Sequence, residues 1–304
     1  MSAEAVWATV TGNGEGTKES MNLIHSIATR AWNAGFKVIT ARCERCQRSM
    51  TLSRFSAHKA GIKMGGHWYC GSACFASAAE EELSELVSSV QDRVPRVERM
   101  PLELTLVSRG WLSGTELKEI RDEQKEEGGE IGELLVRRGS VSERQLTAAR
   151  ATQWGCPIFA VSKRGIPAKI HIPSTLMQLY SMIPLHYAAA TNLLLVGFVY
   201  NVEYGLLYAI EKVTGCKTQP CFVTPSDFQL QMHWREQAKK KSEDAIPSEV
   251  QFDCVQTPTE MARILCNYGV HIEADEAVIG KCKEYFWARL KSGSKDLDLL
   301  FKAE

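Results

Sequence analysis

Apolar residues fall along this chain in two alternating patterns, at helical spacing in some segments and as short unbroken runs in others. Leu23, Ile24, Ile27 and Ala31 predict a helix over residues 20–33, between strands at 5–10 and 36–40. An Ala-, Glu- and Leu-rich stretch predicts a helix over 75–91. Beyond residue 153 short strands at 158–161, 193–200 and 219–223 alternate with helices at 174–181, 202–214 and from 225 onward, an α/β pattern. In the last part, residues 250–255 read as a strand. Thr257, Pro258 and Glu260 mark a helix start with cap, first-turn proline and acidic third position, and the helix ends near Gly269. A short strand at 270–272 follows. Val278, Cys282, Tyr285 and Phe286 then predict a helix over 274–290, before a strand at 296–301.

Between these parts the pattern is written twice. Residues 101–124 and 130–153 align at a constant offset of 29, with eight of 24 positions identical. The identities are Leu106/Leu135, Val107/Val136, Arg109/Arg138, Gly110/Gly139, Ser113/Ser142, Leu117/Leu146, Arg121/Arg150 and Gln124/Gln153. So many matches at one offset mark an internal repeat. In each copy a short apolar helix ends at a glycine suited to the left-handed position past a helix C-terminus, and a serine then caps a second helix. Neither copy is long enough to bury its apolar face alone, so the two are expected to stack around one small core.

The fold class that follows is α+β and multidomain. Residues 1–38 are an N-terminal strand–loop–helix lead-in, and 39–92 a small finger with its following helix. Residues 98–235 hold the tandem helix-turn-helix repeat and an α/β subdomain, and 246–304 form a C-terminal α/β region. The lead-in's glycine loop at residues 12–18 lacks the Gly-Lys-Ser/Thr ending of a phosphate-binding P-loop. Equal numbers of basic and acidic residues, 36 of each, exclude a partner chosen by global charge. No apolar run approaches the ~20 residues of a membrane span, and no basic-then-apolar leader opens the chain. No membrane insertion and a cytoplasmic location are expected.

Cysteine placement adds chemistry. Of ten cysteines, Cys43, Cys46, Cys70 and Cys74 fall into two short pairs 23 residues apart, and six are scattered. Two such pairs, one on a turn after a strand and one opening a helix, supply the four thiolates of a tetrahedral zinc site. A four-cysteine shell leaves no position for water, so the Zn2+ is expected to be structural. The arrangement resembles a treble-clef or zinc-ribbon finger. Lys37, Arg42, Arg45, Arg48, Arg54, Lys59 and Lys63 make the finger locally basic, which leaves nucleic-acid binding open as an alternative function.

The repeat itself resembles the N-terminal (MshEN-type) domain of type II secretion and type IV pilus assembly ATPases. That family carries two 24-residue motifs separated by five residues. The copies here keep Leu102, Leu106, Gly110, Leu112, Leu117 and Gln124, then Ile131, Gly132, Leu135, Gly139, Val141, Leu146 and Gln153, with the five-residue joint at 125–129. The resemblance implies an α/β half downstream and, in some members, binding of cyclic di-GMP by the motifs. Carried over residue by residue, the dinucleotide ligands would be Leu102, Leu106, Gly110, Gln124, Ile131, Gly132, Leu135, Gly139 and Gln153. Three motif positions depart from the family. The leading arginine is Pro101 and Glu130, the first glycine of copy one is Glu103, and the last leucine is Arg121 and Arg150.

The chain contains no Gly-x4-Gly-Lys-Ser/Thr, no HExxH pair, no Gly-x-Ser-x-Gly elbow and no Cys–His signature. The expectation is therefore a non-enzymatic bacterial adaptor or regulator. It would act by protein docking in a secretion- or pilus-type system, gated in one version by cyclic di-GMP.

Overall fold

The computed structural model describes residues 39–52, 61–89, 98–161, 170–240, 248–253, 257–293 and 295–302. The lead-in expected over 1–38 lies outside them. The chain opens with the hairpin β1 (Ile39–Arg42) and β2 (Ser49–Leu52), then a second hairpin, β3 (Ile62–Met64) and β4 (His67–Tyr69), and helix α1 (Ser72–Ser88). The repeat supplies α2 (Leu102–Ser108), α3 (Gly114–Glu127), α4 (Ile131–Arg137) and α5 (Glu143–Trp154). The α/β half runs α6 (Ser174–Leu179), β5 (Met182–Ala188), β6 (Leu193–Phe198), α7 (Tyr204–Thr214), β7 (Lys217–Phe222) and α8 (Pro225–Lys240). The chain ends with β8 (Glu249–Phe252), α9 (Pro258–His271), β9 (Glu276–Cys282), β10 (Tyr285–Ser292) and β11 (Lys295–Lys302).

Segments 39–92 and 246–304, far apart in sequence, meet in one sheet. Its six strands run in the order β4-β3-β9-β10-β11-β8. Strand β3 pairs in parallel with β9, Lys63 opposite Glu276 and Met64 opposite Ala277, so the finger hairpin extends the C-terminal strands. Helix α1 packs against α9 on one face of this sheet. The 98–235 segment therefore leaves from the end of α1 and returns at β8.

The sheet is covered on both faces, which explains the one large departure from the sequence reading. Residues 274–290 are not a helix but the hairpin β9–β10, turning at Lys283 with φ 51°. Ala277, Ile279, Phe286, Ala288, Leu290, Leu297, Leu299 and Phe301 face α1 and α9. Cys282, Tyr285, Trp287 and Leu300 join the core of the α/β half on the other face. When both faces are buried, the period-two alternation of apolar and polar residues disappears. What remains, at 278, 282, 285 and 286, mimics helical spacing. Residues 270–272 are likewise not a strand: α9 runs through His271.

A three-stranded sheet, β5-β6-β7, organises the α/β half, with β6 and β7 parallel. The sequence pattern assigns no element to β5, because Pro184 interrupts it. In the fold Pro184 sits at a register shift on an edge strand, where a missing N–H is tolerated. Helix α7 lies on β9, close enough that a Cβ at Gly280 would come within 3.2 Å of Ala209 Cβ and Val213 Cγ2.

Candidate functional site

The first candidate site is the cysteine cluster. Cys43 ends β1's run into a tight turn in which Gln47 N–H donates to the Cys43 carbonyl at 2.9 Å. Gln47 takes a left-handed φ of 60° to make that turn. Cys70 and Cys74 flank the start of α1. The four Sγ atoms lie within 4.8 Å of one another. Cys46 and Cys70 are 3.5 Å apart and Cys70 and Cys74 3.9 Å. A tetrahedron with Zn–S bonds of ~2.3 Å has S···S edges of about 3.8 Å, so these separations fit zinc.

The acid–base chemistry agrees. Burial works to raise the Cys43 thiol, but hydrogen bonds from the backbone of Cys46, Cys70 and Arg45 and from the Cys46 thiol bring it down to about 6. Cys70, hydrogen-bonded to Cys46 and partly buried, is pushed up to about 12, and Cys74 is raised by partial burial and by its bonds to the Cys46 and Cys43 thiols. Without a cation the cluster thus forms the Cys43 thiolate readily and resists ionisation at Cys70 and Cys74. A divalent cation is what allows all four sulfurs to be thiolates together.

The second candidate site is the tandem repeat, which closes as a pseudo-two-fold pair. Helix α2 of copy one packs on α5 of copy two, and α3 of copy one on α4 of copy two. Each second helix begins with a capping box, Ser113 with Glu116 and Ser142 with Gln145. Gly110 and Gly139 hold φ of 67° and 78°, as the turn requires. The final glutamines close the pair symmetrically. Gln124 Nε2 donates to the Gly129 carbonyl at 2.9 Å, just before copy two begins. Gln153 Nε2 donates to the Met100 carbonyl at 2.7 Å, just before copy one begins.

Of the residues carried over as dinucleotide ligands, Leu106, Leu135 and Gly132 are buried in the core between the helices. Leu102 and Ile131 pack against that core half-buried, and Gly110 and Gly139 are exposed. The two arginines at the family's last leucine have carboxylate partners. Arg121 pairs with Glu103 at 3.1 Å, and Arg150 makes a bidentate contact to Glu130 at 2.7 and 3.0 Å. The departures from the family pattern therefore come as matched sets. Glu130 at the leading position neutralises Arg150. Gly132 leaves room for it, because a Cβ there would sit 3.0 Å from Arg150 Nη2. In copy one Glu103 occupies the equivalent of Gly132 and reaches Arg121 directly.

In the basic finger, Arg45 is held by Glu81 of α1 at 2.9 Å. Lys37, Arg54 and Lys59 lie outside the described residues.

A third cluster carries no motif and was not foreseen. Asp298 on β11 is fully buried and accepts from Trp287 Nε1 at 2.8 Å and from Arg289 Nε and Nη2 at 2.8 and 2.9 Å. His171 Nδ1 lies 2.7 Å from its other oxygen, and Arg289 also donates to the His171 carbonyl. Burial works against ionisation of Asp298, but the bonds from His171, Arg289 and Trp287 outweigh it and hold its pKa below the usual carboxylate value. Beside it, Glu249 on β8 accepts from the backbone N–H groups of Ser174 and Thr175 at 2.9 and 3.2 Å. These contacts fasten the α/β half to the C-terminal sheet.

No protein-family model matches the chain. Over 129 residues it is 27% identical to the type IV pilus assembly ATPase PilB of Thermus thermophilus, a match covering 42% of this chain. The chain spans 14% of the length of that relative. Among solved structures, MshE with cdg shares 17% identity at a TM-score of 0.38, covering 45% of this chain and 99% of that one. The N-terminal domain of XpsE shares 17% identity at a TM-score of 0.35, covering 45% and 97%.

Proposed function

We propose that this chain is a non-enzymatic adaptor or regulator of a pilus- or secretion-type system, acting by protein docking. The observation that carries the reading is the sequence match to a pilus assembly ATPase of which the chain spans 14%. In this reading the tandem module is the docking head. The finger, holding a structural zinc ion on Cys43, Cys46, Cys70 and Cys74, and the C-terminal strands form its base. Affinity purification of the full chain from its native host tests it. Subunits of a pilus or secretion apparatus are expected to co-purify in stoichiometric amounts, and their absence from a preparation that retains the chain overturns the reading.

The gated form adds cyclic di-GMP on Leu102, Leu106, Gly110 and Gln124 of copy one and Ile131, Gly132, Leu135, Gly139 and Gln153 of copy two. The geometry favours the ungated form. Arg121 and Arg150 are engaged by Glu103 and Glu130, and both glutamines are tied to backbone carbonyls. Glu130, standing where the family has its leading arginine, offers a phosphate no guanidinium. Titration calorimetry with cyclic di-GMP is therefore expected to give no heat at high micromolar ligand. A saturable heat at stoichiometric ratio restores the gated form.

A further inference from the structure

The two copies of the repeat are not equally covered. On copy two the α/β half supplies an aromatic anchor. Tyr200 lies over the Arg150 guanidinium, 4.9 Å from ring centroid to Cζ, and its hydroxyl donates to Glu133 at 3.3 Å. Arg150 Nη1 in turn donates to the Val199 carbonyl at 3.3 Å, and the arginine side chain is 3% exposed. The pseudo-two-fold relation puts Arg121 in the place of Arg150, Leu104 in that of Glu133 and Met100 in that of Gly129. This face is open: the Arg121 side chain is 50% exposed, Leu104 45% and Met100 57%. Among the described residues no ring lies over Arg121.

We propose that the face made by Met100, Leu104 and the Arg121–Glu103 pair is a docking surface for a partner polypeptide. That partner presents an aromatic side chain beside a free backbone carbonyl. The inference rests on the adaptor reading and names the surface through which docking occurs. The template is the molecule's own interface on copy two, whose Arg150, Glu133 and Gly129 correspond to Arg121, Leu104 and Met100 here. The ring would stack on Arg121 as a cation–π contact. The carbonyl would take one of the guanidinium's remaining donors. A second copy of this chain is a poor occupant, because its own Val199–Tyr200 pair is already seated on its own copy two.

The substitution of leucine for glutamate sets the specificity. Glu133 accepts the tyrosine hydroxyl on copy two, whereas Leu104 offers no acceptor. A tyrosine hydroxyl therefore gains no hydrogen bond from copy one, whereas a phenylalanine ring edge packs on Leu104, so copy one selects phenylalanine over tyrosine.

The test uses the full chain, labelled with 15N, and two capped peptides: Val-Tyr-Asn-Val, the sequence of residues 199–202, and its phenylalanine version. The phenylalanine peptide is expected to shift the amide signals of Met100, Leu104 and Arg121 and to bind about tenfold more tightly than the tyrosine peptide. In the exposed-site variant Leu104→Glu the preference is expected to reverse towards tyrosine. Three results overturn the proposal: no shifts at these residues with millimolar peptide, equal affinity for both peptides, or loss of both peptides in Leu104→Glu without reversal. Failure here is distinguishable from failure of the adaptor reading. If pilus or secretion subunits co-purify equally with wild type and Arg121→Ala, docking stands and this surface is removed.

Discussion

Removing the proposed zinc ion from Cys43, Cys46, Cys70 and Cys74 is expected to release β9 and α9 along with the finger, although these lie some two hundred residues further along the chain. The coupling follows from the pairing of β3 with β9 and the packing of α1 on α9. Both finger elements are short or depend on the cluster for position. Strands β3 and β4 have three residues each, and α1 starts between Cys70 and Cys74 with no side-chain cap at Gly71. A structural zinc ion contributes ~10 kcal/mol or more to the folding of a small site. That is comparable to the whole 5–15 kcal/mol stability of an ordinary domain. Hydrogen exchange before and after chelation measures the effect. Amides of α1, β3, β9 and α9 should lose protection together while β5, β6 and β7 keep theirs. Cys43→Ser should reproduce the pattern without chelator, since Cys43 is the fully buried cysteine of the cluster. Unchanged protection in β9 on chelation would separate the finger from the sheet and defeat the argument.

The same coupling shows where sequence reasoning reaches and where it stops. The repeat was legible because its signals are local. Gly110, Gly139, Ser113 and Ser142 act within a few residues of themselves, and each does in the fold what its type and position imply. The cysteine cluster was legible because metal geometry constrains spacing, so two short pairs suffice. The C-terminal hairpin was not legible. Its strands are buried on both faces by segments far away in sequence, α1 on one side and α7 on the other, and neither can be seen in a window around residue 280. The meeting of β3 with β9 is invisible for the same reason: no residue of Ile62–Met64 marks a partner beyond residue 270. The Asp298 cluster is a further case. Arg289 stands directly opposite Asp298 across the β10–β11 hairpin with Trp287 two residues away, but nothing near them in sequence announces His171, 127 residues earlier, whose ring completes the cluster.

Asp298→Ala should be the most damaging single substitution outside the cysteine cluster, costing ~3–5 kcal/mol. The carboxylate is the acceptor for Trp287, both donors of Arg289 and His171, and without it the Arg289 guanidinium, 5% exposed, is left charged and buried. His171→Ala should cost less, because the ring is 31% exposed and water can replace it at Asp298. The pH dependence has a defined sign. Burial opposes ionisation of both Asp298 and Glu249, but hydrogen bonds to their charged forms prevail and both folded pKa values are lowered. A carboxylate with a depressed folded pKa stabilises the fold above its unfolded value, near 4. That contribution is lost as pH falls through the lower folded value. Urea midpoints of the wild type should therefore be flat from neutral pH to about 5 as far as these two groups are concerned, and fall below about 4. Asp298→Asn should start from a lower midpoint and show a shallower acid-range fall, because one of the two linked protons is gone. A variant whose midpoint and acid slope both match wild type would mean that the cluster does not hold the α/β half to the sheet. The two halves would then be joined by their other contacts, among them Glu249 with the Ser174 and Thr175 backbone and the packing of α7 on β9.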